Sequence, residues 1–224
     1  MSVSPGQIRR MFGRVAARYD LINALITLGQ NHRWKNLAAN TCRVPVGALA
    51  LDVCAGTADI SLALARRGAR AVALDFSSEM LALGQRKSRG KPIAFVLGDA
   101  LQLPFPDRTF EAAVVGFSLR NVASLPQLLA EMRRVVKPGG WVVSLETSQP
   151  PSRLVRALYR LYLSITISFT PLLSEGSAYG YLASSILAFP PAEEVAAAFR
   201  AAGLTDVSFQ LQLLGVVAVH AGRA

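Results

Sequence analysis

Cysteine, histidine and acid are all scarce in this chain. Only Cys42 and Cys54 are present, with no CxxC pair and no Cys/His cluster, so no metal centre is expected. Two cysteines are also too few for a disulfide framework, and reduced thiols in a cytoplasmic protein are the expectation. His32 and His220 are the only histidines. Acids number 14 against 24 Lys and Arg, giving a net charge of +10. The imbalance is sharpest in residues 1–44, where Arg9, Arg10, Arg14, Arg18, Arg33, Lys35 and Arg43 face the single acid Asp20. Such a surplus suits nucleic acid or an anionic membrane face. Arg9 and Arg10 interrupt any apolar signal core. The longest apolar run, 154–173, holds Arg156, Arg160 and Pro171. A charge at bilayer depth costs roughly 2.5–3.5 kcal/mol. An interfacial or lid helix is therefore expected there, not a membrane span.

What is abundant is apolar: 52% of the 224 residues are hydrophobic, enough for a sizeable core in one α/β domain. Residues 7–40 carry Ile8, Met11, Phe12, Val15, Tyr19 and Ile22 at helical spacing. From residue 48 apolar strands alternate with helices. Strands are expected at Ala48–Val53, Ala69–Leu74, Ile93–Leu97, Ala112–Phe117 and Trp141–Leu145. Helices are expected at Ile60–Arg67, Ser77–Arg86 (capped by Ser77 or Ser78) and Leu125–Val136, the last stopped by Lys137-Pro138-Gly139-Gly140. Residues 147–190 read as a helical insertion, and Glu193–Ala202 as an amphipathic helix. Val207–Leu211 and Gly215–Val219 lie too close for a parallel crossover and should pair antiparallel. The pattern predicts one domain over 1–224. Basic N-terminal helices occupy 1–44, a cofactor-binding core 45–146, a helical lid 147–190, and a closing helix and strands 191–224. The sheet should be mostly parallel with helices on both faces, a Rossmann-like α/β fold.

In such a sheet ligands bind beyond the strands' carboxyl ends. The first strand ends in Asp52-Val53-Cys54-Ala55-Gly56-Thr57-Ala58-Asp59, a turn of small residues that holds one glycine. Taken alone it is also an ordinary tight βα connection. Asp75 ends the second strand, where a carboxylate accepts from both ribose hydroxyls of a nucleoside. Asp99 ends the third, suited to an adenine amino group, with the Ala100 N–H facing a ring nitrogen. A nicotinamide dinucleotide wants a fuller glycine fingerprint for its pyrophosphate. S-adenosylmethionine has no phosphate and tolerates this turn better, so it is the expected cofactor.

The stretches MFGRVAARYDLIN, LDVCAGTADIS, ALDFSSEML, GDALQLPFPDRTFEAAVVGFSLRNV, EMRRVVKPGGWVVSLE and AYGYLASSILAFP with GVVAVH cover nearly the whole chain. Together they resemble the UbiE/MenG-type ubiquinone and menaquinone biosynthesis C-methyltransferases, with RYDLIN, LRNV and the YGYLASSI segment the most specific. The resemblance implies a class I S-adenosylmethionine-dependent methyltransferase fold of seven strands. It implies C-methylation of a prenylated quinol, demethylmenaquinol to menaquinol, in respiratory quinone biosynthesis. Tyr19, Asp52, Gly56, Thr57, Asp75, Phe76, Asp99, Ala100, Gly116 and Ser118 are then the cofactor-binding candidates. Where the family reads SFGLRN this chain has GFSLRN, so a hydroxyl leaves Gly116 and reappears at Ser118. Alternation along a strand puts both on one side.

A quinol is methylated on carbon once a phenolic proton leaves, and a phenol titrates near 10. A guanidinium lowers that value by stabilising the phenolate. Arg120 is the candidate for that role, with a salt bridge or cap as its alternative reading, and Asn121 would orient a quinol oxygen. Asp20, His220 and water are candidate proton acceptors. Glu146 lines the pocket or packs as a structural acid. The apolar segment 154–189 would take the isoprenoid tail, and the basic N-terminal helix would meet an anionic membrane surface. The protein is expected in the cytoplasm, peripheral on the membrane's inner face, with a homodimer as a further expected assembly. Nucleic acid is not expected as a partner, since no recognition motif or aromatic–basic interleaving is present. A methyltransferase for another small phenol or lipid would keep the same cofactor residues.

Overall fold

A computed structural model of the chain describes residue 27 and residues 29–169 and 184–224. Among the described residues seven strands form, β1 (Leu49–Val53), β2 (Arg70–Asp75), β3 (Ile93–Leu97), β4 (Phe110–Gly116), β5 (Val136–Thr147), β6 (Thr205–Gln212) and β7 (Val217–Arg223). They form one sheet in the order β3-β2-β1-β4-β5-β7-β6. The first five run parallel, while β7 runs antiparallel to both β5 and β6. The helices among the described residues are α1 (Gln30–Thr41), α2 (Asp59–Ala65), α3 (Ser78–Lys87), α4 (Leu125–Val135), α5 (Arg153–Phe169) and α6 (Ala192–Ala201).

Alternation along the strands divides the core in two. Leu51, Val53, Ala113 and Val115 face Leu128, Met132 and Phe199 of α4 and α6. Ala50, Ala112, Val114 and Leu145 face Trp34, Ile60 and Leu64 of α1 and α2. Asp52 shares the second face with Ala50 and therefore points at α2. Helix α3 starts where its sequence allows, with Ser77 Oγ accepting from Met80 N at 3.3 Å.

Several boundaries differ from the sequence reading. The helix expected over 7–40 does not continue through 27–29: Thr27 and Gly29 lie in a turn and Gly29 has φ +74°, so α1 begins at Gln30. The rest of that expected helix lies outside the described residues. Strand β5 begins at Val136 instead of Trp141. Val136 pairs with Phe110, and the ladder resumes at Trp141 opposite Ala112 after a shift in register. Gly140 is obligatory there, because a Cβ would lie 2.5 Å from Glu111 O. The last strand starts at Val217 and not at Gly215. Leu213, Leu214 and Gly215 have φ of +46°, +56° and +93°, which no extended ladder can hold.

Candidate active site

One cavity of about 730 Å³ opens at the carboxyl ends of β1, β2 and β4, and gathers most of the described candidates. The turn after β1 explains why glycines are usual there. Cys54, Gly56 and Ala58 all have positive φ, at +55°, +53° and +63°. These are the glycine positions of a G-x-G-x-G turn, and here two of them carry a Cβ in the left-handed region at a cost of about 1–2 kcal/mol each. Ala58 is accommodated by Gly84 of α3, where a Cβ would stand 3.2 Å from the Ala58 methyl and 2.9 Å from Phe95.

Asp75 ties two turns together. Its Oδ2 accepts from Gly56 N at 2.8 Å and its Oδ1 from Ser77 N at 2.9 Å. Burial pushes its carboxyl up, while those backbone N–H groups pull it down. Each oxygen has a further lone pair to accept with, and Asp75 lines the cavity, which fits a ribose diol. Asp99 is exposed, accepts from Leu101 N at 2.8 Å, and sits beside the buried Ala100 on the cavity wall. Thr57, Phe76, Gly116 and Ser118 line the same cavity. Asp52 also borders it, yet its Oδ2 accepts from both Ser61 N and Ser61 Oγ, at 2.8 and 2.6 Å. Burial lifts the Asp52 carboxyl to about 7 against the pull of those bonds. Asp52 thus anchors α2 to β1.

The residues present fit S-adenosylmethionine better than a dinucleotide. Asp59 stands in the first turn of α2, paired with Lys35 at 2.6 Å and with Lys87. A carboxylate at that helix start occupies the place a pyrophosphate would need. Buried carboxylates around the turn favour instead a neutral diol and a cationic sulfonium.

Arg120 lines the cavity and also forms a salt bridge. Its Nη1 is ion-paired with Glu146 at the end of β5, and both side chains are buried. Glu146 Oε1 also accepts from Thr147 N at 2.8 Å. The Arg120 Nε is buried and without a hydrogen-bond partner among the described residues. Tyr159 of α5 lies close to both charges, and burial pushes its hydroxyl up to about 12. Arg120, Asn121 and Tyr159 all line the cavity. Sequence reasoning left Glu146 ambiguous and attached no role to Tyr159 beyond an apolar lid, because neither partner of the pair is near the other in sequence.

The remaining residues singled out in the sequence have several environments. His220 is not at the cavity. It is buried between Phe199 and Phe209, with ring centroids 5.8 and 5.5 Å away. Its Nε2 faces Ala192 O at 3.0 Å and its Nδ1 faces Ser144 Oγ at 3.4 Å. Desolvation lowers it to about 4, so it is neutral and structural. Gly116 and Ser118 do not simply share one strand face, because Phe117 between them has φ +56° and breaks the alternation. Ser118 Oγ instead donates to Gly116 O at 3.3 Å. Tyr19 and Asp20 lie outside the described residues. Cys42 and Cys54 are free thiols, both pushed up by burial. Among the described residues no group of three or more His, Cys, Asp or Glu could hold a metal.

Strand order, strand-end acids and a glycine-type turn define a class I S-adenosylmethionine-dependent methyltransferase. Solved structures share the fold. An S-adenosylmethionine-dependent methyltransferase of Thermotoga maritima matches with a TM-score of 0.66 at 17% identity, over 96% of this chain and 98% of its own. Phosphoethanolamine N-methyltransferase 2 of Haemonchus contortus, in complex with S-adenosyl-L-methionine, matches with a TM-score of 0.60 at 14% identity, over 84% of this chain and 51% of its own. The family model described as the ubiE/COQ5 methyltransferase family matches residues 1–224, and the chain belongs to that family. It is 41% identical to the demethylmenaquinone methyltransferase of Clavibacter sepedonicus, over 99% of this chain and 92% of that one. It is 39% identical to the ubiquinone/menaquinone biosynthesis C-methyltransferase UbiE of Geobacter sulfurreducens, over 97% and 88%. The chain is accordingly an S-adenosylmethionine-dependent C-methyltransferase.

Proposed function

We propose that this enzyme methylates a ring carbon of a prenylated quinol, demethylmenaquinol, in quinone biosynthesis. The relatives' names support that substrate. The observation that carries it is one cavity with the strand-end acids on one part of its wall, Arg120 and Asn121 on another, and Leu158, Tyr162 and Leu214 along the rest. A polar ring and an apolar tail need that combination.

Bound S-adenosylmethionine supplies an electrophilic methyl group on a sulfonium. Asp75 accepts the ribose hydroxyls, while Asp99 and the Ala100 N–H bracket the adenine. Gly56, Thr57 and Phe76 form the wall against the nucleoside, and Gly116 and Ser118 complete the cofactor half. The positive charge of Arg120 stabilises the ionised form of a quinol oxygen, which places electron density on the adjacent carbon. Glu146 holds the guanidinium in place, and Asn121 steadies the ring. The phenolic proton leaves to water or to Asp20, and once the ring carbon has taken the methyl from sulfur its own hydrogen leaves as a proton and the ring regains its aromaticity. The wall of Leu158, Tyr162 and Leu214 takes the isoprenoid tail. The basic residues of 1–44 meet an anionic membrane surface; of these, 1–26 lie outside the described residues, as do 170–183 of the expected lid. Among the described residues no helix is long and apolar enough to cross a membrane.

The test incubates purified protein with labelled cofactor and reduced demethylmenaquinone, and reads product mass. A gain of one methyl is expected. No gain despite tight cofactor binding would defeat the proposal, and methylation of a different phenol alone would reassign the substrate. Arg120→Ala is a poor probe, since it strands the buried Glu146 carboxylate at about 3–5 kcal/mol. The double variant Arg120→Met/Glu146→Leu removes both charges. It should fold and keep S-adenosylhomocysteine binding, while turnover falls about 10²–10³-fold. Turnover at the wild-type rate would remove Arg120 from the chemistry.

A further inference from the structure

Helix α5 presents an apolar stripe to solvent. Leu154, Leu158, Leu161 and Ile165 are each half or more exposed and recur at intervals of four, three and four residues, one face of a helix. Arg153 and Arg160 are exposed on the same helix, which carries no acid. Beside it stands the tip between β6 and β7, where Leu213 and Leu214 are 57% and 75% exposed. Both have positive φ, a strained way to hold two large apolar side chains outward. The tip abuts the start of α5, because a Cβ on Gly215 would meet Pro151 Cδ at 2.6 Å. Leu158, Tyr162, Leu213 and Leu214 also line the active-site cavity, so the apolar surface is continuous with its wall.

We propose that α5 and the Leu213–Leu214 tip form the face that docks on an anionic lipid bilayer, turning the cavity toward the membrane so that a tailed substrate enters without crossing water. The inference rests on the reading that the substrate is prenylated. A bilayer fits this face better than a second copy of the chain. A two-fold contact along α5 would gather Arg153 and Arg160 of both copies into one interface with no acid on the helix to pair them. In a bilayer the leucines enter the acyl boundary while the arginines stay among the headgroups.

The experiment floats the full chain with phosphatidylcholine vesicles, with and without phosphatidylglycerol. The wild type should bind the anionic vesicles. Leu154→Ser/Leu161→Ser/Ile165→Ser, which leaves the cavity lining intact, should lower that binding at least tenfold by the apolar area withdrawn from lipid, roughly 25 cal/mol per Å². Arg153→Gln/Arg160→Gln should lower it about fivefold per charge, and only where phosphatidylglycerol is present. The emission of Leu214→Trp should shift blue on these vesicles and be quenched by brominated lipid. Absence of wild-type binding, or a folded triple serine variant that floats like the wild type, overturns the proposal. A wild-type dimer that the triple variant dissociates assigns the face to self-association instead. With a short-tailed soluble quinol the triple variant should turn over like the wild type, and with a vesicle-held long-tailed quinol it should be slower. If the wild type methylates neither quinol, the substrate reading fails, while flotation still decides the surface.

Discussion

Gly116 stands at the end of β4 with Ile60 pressed against it: a Cβ there would lie 2.5 Å from Ile60 Cδ1. The serine usual in the resembling family thus has no room unless the isoleucine yields. Gly116→Ser should destabilise the protein by about 1–3 kcal/mol through overpacking, read as a fall in Tm. Ile60→Val removes the offending methyl and should recover most of that loss in the double variant, although Ile→Val alone costs about 0.5–1.5 kcal/mol. A Gly116→Ser protein as stable as the wild type would end the idea that the two positions compensate.

At the level of elements, cofactor recognition belongs to the ends of β1, β2 and β3, but the three acids differ in what they hold. Asp52 is committed to Ser61 of α2. Asp75 bridges the β1–α2 turn and the cap of α3 while facing the cavity. Asp99 is exposed and bonded within its own turn. Asp75→Asn should therefore weaken S-adenosylhomocysteine binding most, by ten- to a hundredfold, the worth of a hydrogen bond to a charged group. Asp99→Asn should weaken it less. Calorimetric titration separates them, and unchanged affinity in Asp75→Asn would remove that carboxylate from the cofactor site.

Across the whole molecule two buried groups oppose each other in their response to pH. His220 titrates near 4 in the folded chain against 6.5 ordinarily, so the unfolded chain takes a proton that the folded one refuses. Its contribution to stability is present above pH 6.5 and is lost as pH falls toward 4. Asp52 titrates near 7 against 3.8, so the folded chain keeps a proton that the unfolded one releases. Its contribution is present at low pH and is lost as pH rises from 3.8 to 7. Each spans about 3–4 kcal/mol at 1.36 kcal/mol per unit. Thermal unfolding of the wild type should thus vary less between about pH 4 and 6.5 than that of a variant lacking either group. Asp52→Asn should expose the histidine slope, with Tm rising with pH, and His220→Gln the opposite slope. A steep wild-type profile, or parallel profiles in the two variants, would show that these groups do not balance.

Strand–helix alternation, the antiparallel closing pair and the acids at successive strand ends were legible in the chain, because each rests on local periodicity or on a residue's place at the end of a strand. The family was legible too, from RYDLIN, LRNV and YGYLASSI. Tertiary structure alone decided the rest. Arg120 and Glu146 meet only because β4 and β5 are neighbours in the sheet. His220 left the list of bases because its register opposite Ser144 puts it in the core. Cys54 and Ala58 occupy left-handed positions that composition cannot reveal, and Gly84 makes room for one of them. Whether the leucines of α5 face inward or outward depended on which side of that helix the sheet covers, since amphipathic spacing records a stripe but not what lies against it.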